Sequence, residues 1–229
     1  MENLDDQKER LGREVSELEQ RLKSQAEALS GKRSEAAQTL EAEIADHLRH
    51  LGMRKSAFSI QLDRRVRSDG RPVYTQYGVD SPEYLISPNE GEPLKPLREI
   101  ASGGEMSRIM LAIKTVLSAS DAIDTMVFDE IDAGIGGEVA VAVGDHLAEL
   151  ADTKQVLCIT HLPTIAVRAD QHLAIRKLSR GGRTVTEVQE VSGDERVAEV
   201  ARMLAGDSDT DVSRSHAREL LLDAGAFES

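Results

Sequence analysis

The chain has 229 residues, of which 40% are hydrophobic and 30% charged, and its formal net charge is −13. This size suffices for one medium-sized core plus an extension, and the acidic balance excludes a surface that binds nucleic acid all over. Cys158 is the single cysteine, so no disulfide can form within the chain. The sequence has no secretion signal and no run of 18 apolar residues, so we expect a soluble cytoplasmic protein.

The first part of the chain, residues 1–52, predicts a coiled-coil arm. Apolar residues recur there at spacings of four and three, and the phase shifts near 30–32. The stripe comprises Leu11, Val15, Leu18, Leu22 and Leu29, then Ala37, Leu40, Ile44, Leu48 and Leu51. We expect two helices or one interrupted helix, with a partner helix elsewhere in the parent protein or in a second copy. The alternative is one solvated helix docked on the domain.

The rest of the chain, 53–229, predicts one α/β domain. Short strands and turns suggest an antiparallel region before a proline-rich loop at 88–96. Strands then alternate with helices, which indicates helices packed on a largely parallel central sheet. The expected strands are 58–62, 73–77, 84–87, 125–129, 155–160, 172–177 and 184–191, and the expected helices are 104–119, 137–150, 163–169, 194–205 and 212–223.

The sequence SGGE opens the predicted helix 104–119. Ser102 and Glu105 fit a capping box, in which both side chains satisfy backbone N–H groups at a helix start. Gly103 and Gly104 are poor helix formers, and their missing side chains let a ligand approach the amides and the positive end of the helix dipole. The pattern predicts an anion site, with an ordinary helix cap as the alternative.

The apolar strand MVF delivers Asp129 and Glu130 at its carboxyl end. In doubly wound sheets ligands bind beyond the carboxyl ends of the strands. Asp129 there fits a Mg²⁺ ligand, directly or through water, and Glu130 fits a group that polarises an attacking water. A polar turn after a strand is the alternative. His161, at the end of the next strand, is a candidate phosphate contact.

Taken in chain order, these segments resemble the carboxy-terminal half of an ABC-type ATPase head. SGGE is similar to the ABC signature, MVFDE to the Walker B strand, Asp132-Ala133-Gly134 to the D-loop, and His161 to the switch histidine. The longer stretches LREIASGGEMSRIMLAIK, TMVFDEIDAGIGG and THLPTIAVRAD resemble the RecN family, SMC-like ATPases of bacterial DNA double-strand-break repair and recombination. The resemblance implies an α/β P-loop NTPase-like sheet flanked by helices, with the arm as the returning strand of an antiparallel coiled coil.

The resemblance also implies cofactors, partners and roles. In such heads two protomers sandwich two ATP molecules, so ATP pairs the heads and hydrolysis separates them. Asp129 would hold Mg²⁺, Glu130 would act as general base and His161 would sense the γ-phosphate of the head's own nucleotide. The residues from Ser102 to Glu105 would meet the opposite head's γ-phosphate, and Asp132 would lie between the two sites. The expected further partner is DNA, at its ends or as single strands, and the expected location is the nucleoid.

The chain lacks a phosphate-binding loop of the form G-x-x-x-x-G-K-[ST]. The near miss AEALSGKR at 26–33 lacks the first glycine and the Ser/Thr and lies in the arm. The resemblance assigns this loop to an amino-terminal lobe, so we expect this chain alone to be inactive as an ATPase. Alternatives are a non-catalytic coiled-coil scaffold or DNA-binding module and, within the same fold, a transporter nucleotide-binding subunit, which would lack the arm.

The densest basic stretch surrounds a predicted Asp-Gly turn. It consists of Arg64, Arg65, Arg67 and Arg71. Charges that flank a hairpin are usually a solvated face, and contact with DNA phosphates is the alternative hypothesis.

Overall fold

The computed structural model describes residues 4–180, 183–206 and 210–225. Their contacts form two compact units. The first contains Met1–Ala45 and Ser56–Glu99, and the second contains Asp46–Lys55 and Ile100–Ser229. No helix in the described ranges combines the length and apolar character needed to cross a bilayer.

The arm is one continuous helix, α1 (Leu4–His50), so the break predicted at 30–32 is wrong. Contacts within the first unit stabilise the helix at that point. Ser30 Oγ donates to Asp80 Oδ1 at 2.7 Å, and Arg33 Nη1 donates to Asp80 Oδ2 at 2.9 Å. Burial alone would raise the pKa of Asp80, yet these two bonds lower it below its ordinary value. A buried, paired carboxylate therefore anchors the stretch where propensity is weakest.

An antiparallel sheet completes the first unit. The strands are β1 (Ala57–Arg64), β2 (Asp80–Ser87) and the short β3 (Lys95–Pro96), followed by a 3₁₀ turn at Leu97–Glu99. Their order in the sheet is β1-β2-β3, with Phe58 opposite Ile86. The strand predicted at 73–77 is absent from the described chain, because Thr75 and Gly78 close a tight turn there through reciprocal backbone bonds of 3.1 and 3.0 Å.

The two units cut across the boundary that we predicted between residues 52 and 53. The reason is a direct bond between helix and sheet. The Glu41 carboxylate on α1 accepts from Ser59 Oγ at 2.9 Å and from Ile60 N at 2.5 Å. Most of α1 therefore belongs with β1 and β2, and only its last turn belongs to the second unit.

The apolar stripe of α1 changes character along the helix. Its first members remain 43 to 54% exposed, and they are Leu11, Val15, Leu18 and Leu22. Ala37, Ile44 and Leu48, further along, are buried. The first half of α1 thus leaves a seam of the width that suits a partner helix.

The second unit contains all the helices and strands predicted between 104 and 223. They are α2 (Gly103–Leu117), β4 (Thr125–Phe128), α3 (Gly137–Ala151), β5 (Gln155–Cys158), α4 (Pro163–Ala166), β6 (His172–Arg180), β7 (Arg183–Val191), α5 (Gly193–Ala205) and α6 (Asp211–Asp223). Strands β4 and β5 are parallel, with Met126 opposite Val156, whereas β6 and β7 form an antiparallel hairpin. In the described residues the predicted parallel sheet is therefore limited to one pair of strands.

One face of the parallel pair is bare. Met126 and Phe128 point into the core and are buried, but Val127, Leu157 and Ile159 are 64%, 44% and 51% exposed. Parallel sheets are normally covered on both faces. A second apolar core lies between α5 and α6 and comprises Val167, Val197, Val200, Ala201, Ala217 and Leu221.

Candidate functional site

The start of α2 has the predicted cap. Ser102 is the N-cap residue in an extended conformation, and its side chain accepts from Glu105 N at 3.4 Å. This is the first of the two bonds of the predicted capping box. The next two residues, Gly103 and Gly104, form the first turn of the helix.

The two glycines pack against the turn that follows β4. A Cβ atom on Gly103 would overlap the Glu130 carboxylate. A Cβ atom on Gly104 would lie 2.9 Å from Ala133 Cβ and 3.1 Å from the carbonyl oxygens of Glu130 and Ala133. Neighbouring backbone therefore requires glycine at 104 within the chain itself. The sequence had suggested ligand access alone as the reason for these glycines, and that role stays a prediction.

Two residues that we had not singled out join α2 to this turn. Ser107 Oγ donates to the Asp129 carbonyl at 2.8 Å, and Arg108 Nη1 donates to the carbonyls of Ile131 and Ala133 at 3.2 Å each. Burial lowers the pKa of Arg108. The available signal was its position: an arginine four residues after Gly104 lies on the inward face of α2, where a charge needs acceptors.

Asp129 and Glu130 lie just beyond β4, and both are exposed. Asp129 Oδ1 accepts from the backbone N–H of Glu130 at 2.9 Å. Glu130 has a φ of +57°, which makes it the one non-glycine residue of the described chain in the left-handed region. The two carboxylates thus have the exposed position at the carboxyl end of a parallel strand that the sequence predicts.

Asp132 is buried and binds the end of β5. Its Oδ2 accepts from Thr160 Oγ1 at 2.5 Å and from His161 N at 2.8 Å, and His161 Nδ1 lies 2.9 Å from the same oxygen. The structure therefore makes Asp132 a positioning residue for His161. Thr160 was not among the predicted site residues. The remaining residues of the predicted D-loop, Ala133 and Gly134, are exposed. The backbone at Gly134 has a positive φ of 72°, a conformation that favours glycine.

Cys158, the last residue of β5, lies next to the site. Burial raises the pKa of its thiol to about 12, and the charges of Asp132 and Asp129 act in the same direction. The thiol is therefore protonated at neutral pH, although Cys158 is only half-buried.

A divalent cation would find two exposed carboxylates here, and that of Asp129 is the predicted ligand. Among the described residues, no group of three or more His, Cys, Asp or Glu side chains is arranged to bind a metal. This donor set fits Mg²⁺ bound by one carboxylate together with phosphate oxygens and water, and it does not fit a site made of protein ligands alone.

The predicted residues fall into two places. Those from Ser102 to Glu105, from Asp129 to Gly134, and His161 belong to the second unit and meet at the start of α2 and the ends of β4 and β5. The four arginines, Arg64, Arg65, Arg67 and Arg71, are all exposed and belong to the first unit.

Comparison with known proteins identifies relatives of this chain. No protein-family model matches the chain. The DNA repair protein RecN of Treponema pallidum is 48% identical over 214 residues, which are 93% of this chain and 37% of that protein. RecN of Bacillus subtilis is 41% identical over 233 residues, 98% of this chain and 40% of that protein. The chain is a relative of the RecN proteins.

The chain spans about two fifths of the length of these RecN relatives. Among solved structures, it is similar to a Smc head domain with an extended coiled coil from Pyrococcus furiosus, with a TM-score of 0.52, 18% identity and coverage of 82% of this chain and 44% of that one. A Smc head domain with a coiled coil and joint from Pyrococcus yayanosii gives a TM-score of 0.52 at 18% identity, over 97% of this chain and 34% of that one. These likenesses show the fold: an α/β head-domain lobe with a helical arm.

Proposed function

We propose that this chain is the carboxy-terminal head lobe and returning arm of an SMC-like ATPase that acts in DNA double-strand-break repair. Its RecN relatives are named DNA repair proteins, and its fold is that of Smc head domains. The observation that carries the proposal is the convergence of the capped α2 start, the exposed Asp129 and Glu130, and His161 around one pair of parallel strands.

Each residue then has a role in ATP hydrolysis. Asp129 would hold Mg²⁺, which when bound neutralises phosphate charge. Glu130 would orient and deprotonate the attacking water from its exposed position after β4. His161, whose ring and N–H are held by Asp132, would contact the γ-phosphate.

The bare face of the parallel strand pair supports the proposal that a further segment covers it. Val127, Leu157 and Ile159 form an apolar surface that a parallel sheet normally buries. The phosphate-binding loop that this sequence lacks would lie on that covering lobe. The exposed seam of α1 would accept the other helix of the coiled coil in the same way.

ATP would pair two such heads. In the pair, the start of α2 would present its N–H groups to the γ-phosphate held by the opposite head, in the manner of other helix N-termini that bind phosphate. In this structure the Glu130 carboxylate lies beside Gly103 of the same chain. Pairing around two nucleotides would require that carboxylate to turn away from α2.

The test is ATP hydrolysis by a fusion in which this chain replaces the matched segment of the Treponema pallidum RecN. We expect hydrolysis by the fusion and none by the chain alone. Glu130→Gln should lower kcat by at least about a hundredfold with little change in KM, because it removes the base and keeps the size of the side chain. Glu195→Gln, an exposed glutamate in the first turn of α5, is the matched control.

Two outcomes oppose the proposal. Full activity of the Glu130→Gln fusion would exclude the glutamate as the base. A fusion that binds DNA and yet hydrolyses no ATP would favour the non-catalytic scaffold. ATP-dependent pairing is measured separately, by sedimentation of the slow Glu130→Gln fusion with ATP and with ADP.

A further inference from the structure

A short two-stranded ribbon of the first unit, residues 65–73, projects three arginines from one face. Val66 and Pro72 form an antiparallel bridge, Arg67 N donates to Arg71 O at 2.8 Å, and Val73 N donates to Arg65 O at 2.8 Å. Residues two apart in such a ribbon share a face. Arg65, Arg67 and Arg71 therefore point to the same side, and we call this segment the arginine ribbon.

Hydrogen bonds fix the backbone of the arginine ribbon at its turn and at its base. Gly70, with a φ of +80°, makes the turn and donates to Arg67 O at 2.9 Å. Asp69 Oδ1 accepts from Arg71 N at 3.0 Å, and Arg65 N donates to Val79 O at 2.8 Å. The three side chains thus extend from a fixed frame, which reduces the entropy lost when they bind a ligand.

The charge pattern of the arginine ribbon is unfavourable without a ligand. Arg67 and Arg71 are cross-strand neighbours, and like charges in that position destabilise a ribbon. Among the described residues, the one salt bridge on this face joins Arg71 to Asp69, at 3.7 Å. Arginines are concentrated on this exposed face in a chain whose net charge is −13. A surface of this kind is stabilised by an external polyanion.

Arg64 is a different case. It lies in β1 opposite the buried Asp80, whose carboxylate accepts from Arg33, and the charge of Arg64 helps to lower the pKa of Asp80. Its charge therefore acts on the frame of the first unit, and it does not belong to the ribbon's face.

We propose that the arginine ribbon binds the phosphate backbone of DNA. Arginine forks match phosphate oxygens bidentately, and the ribbon presents three of them on one exposed face. The choice of DNA among polyanions rests on the proposed function. The contact itself needs neither ATP nor a second head.

The test is binding of this chain to fluorescent DNA, followed by anisotropy over a series of salt concentrations without nucleotide. The probes are a 30-nucleotide single strand and a duplex of the same length. The ribbon variant combines Arg65→Gln, Arg67→Gln and Arg71→Gln. The control variant combines Lys8→Gln, Arg10→Gln and Arg21→Gln, which removes the same charge from exposed positions of α1.

We expect the slope of log K against log salt to become shallower in the ribbon variant by about 2.7 for duplex and about 2.1 for single strand, at 0.9 and 0.7 per lost phosphate contact. A third variant, with lysine at the three positions, should keep the slope because it keeps the charges. The control should match the parent chain.

Three outcomes would overturn the proposal: no binding of either DNA by the parent chain, an unchanged slope in the ribbon variant, or an equal change in the control. The assay contains no ATP, so failure of the ATPase proposal leaves its result intact. Likewise, loss of DNA binding would leave the hydrolysis test unaffected.

Discussion

Replacing Asp132 by alanine tests whether this buried carboxylate positions His161. One oxygen of Asp132 accepts from Thr160 Oγ1 at 2.5 Å and from His161 N at 2.8 Å, with His161 Nδ1 at 2.9 Å. Asp132→Ala would leave these donors facing a small void. Asp132→Asn would keep an oxygen in the same place and remove only the charge, so the two variants separate geometry from electrostatics.

The expected magnitude follows from the lost acceptor. A buried donor left unsatisfied costs about 1–3 kcal/mol. Thr160 can rotate its hydroxyl, and the His161 ring is 74% exposed, so water satisfies part of the loss. We expect Asp132→Ala to lower the free energy of unfolding by about 2–4 kcal/mol and Asp132→Asn by less than about 1.5 kcal/mol.

Urea unfolding of the chain, followed by circular dichroism, measures both values. With an m-value of about 2 kcal/mol per molar urea, Asp132→Ala should lower the midpoint by about 1–2 M. Asp152→Ala, at an exposed aspartate that ends α3, controls for the loss of a carboxylate. Equal midpoints for Asp132→Ala and Asp132→Asn would refute the reasoning, because the retained oxygen would then contribute nothing.

Two further predictions concern titrating groups. Burial, then the neighbouring His146, lowers the pKa of His47, so the native chain binds fewer protons there than the unfolded chain below about pH 6.5. Unfolding free energy should therefore fall between pH 7.5 and 5.0, and His47→Gln should reduce that fall in urea titrations; an unchanged fall would contradict the assignment. Cys158, with a pKa of about 12, should react with a thiol reagent at pH 8 about a thousandfold more slowly in the native chain than in urea. Equal rates would show that the thiol is not shielded.

Much of the second unit was predictable because its elements follow local rules. Apolar runs and helical spacing predicted each helix and strand after residue 104, and the predicted cap at Ser102 marks the start of α2. The continuity of α1 was not predictable, since it depends on bonds to Asp80, which lies 50 residues after Ser30. Local propensity at 30–32 favours a break, and the tertiary contact overrides it.

The site was predictable as a set of residues and less so as a set of contacts. Strand ends predicted the exposed positions of Asp129 and Glu130, because side chains after parallel strands collect at one edge. The sequence did not indicate that Arg108 and Ser107 would bind the 129–133 turn. Nor did it indicate that Asp132 would be a buried acceptor. Both depend on pairings between distant segments, and no local spacing carries that information.

The conformation of Glu130 bears on the choice between a reactive carboxylate and a polar turn. Its φ of +57° costs a non-glycine residue about 1–2 kcal/mol, and glycine would adopt it without that cost. The backbone is held there by two bonds, from Glu130 N to Asp129 Oδ1 at 2.9 Å and from Ala133 N to Glu130 O at 3.0 Å. Neither bond uses the glutamate side chain. A turn that served solvation alone would therefore be more stable with glycine at this position, so the strain favours a function for the carboxylate.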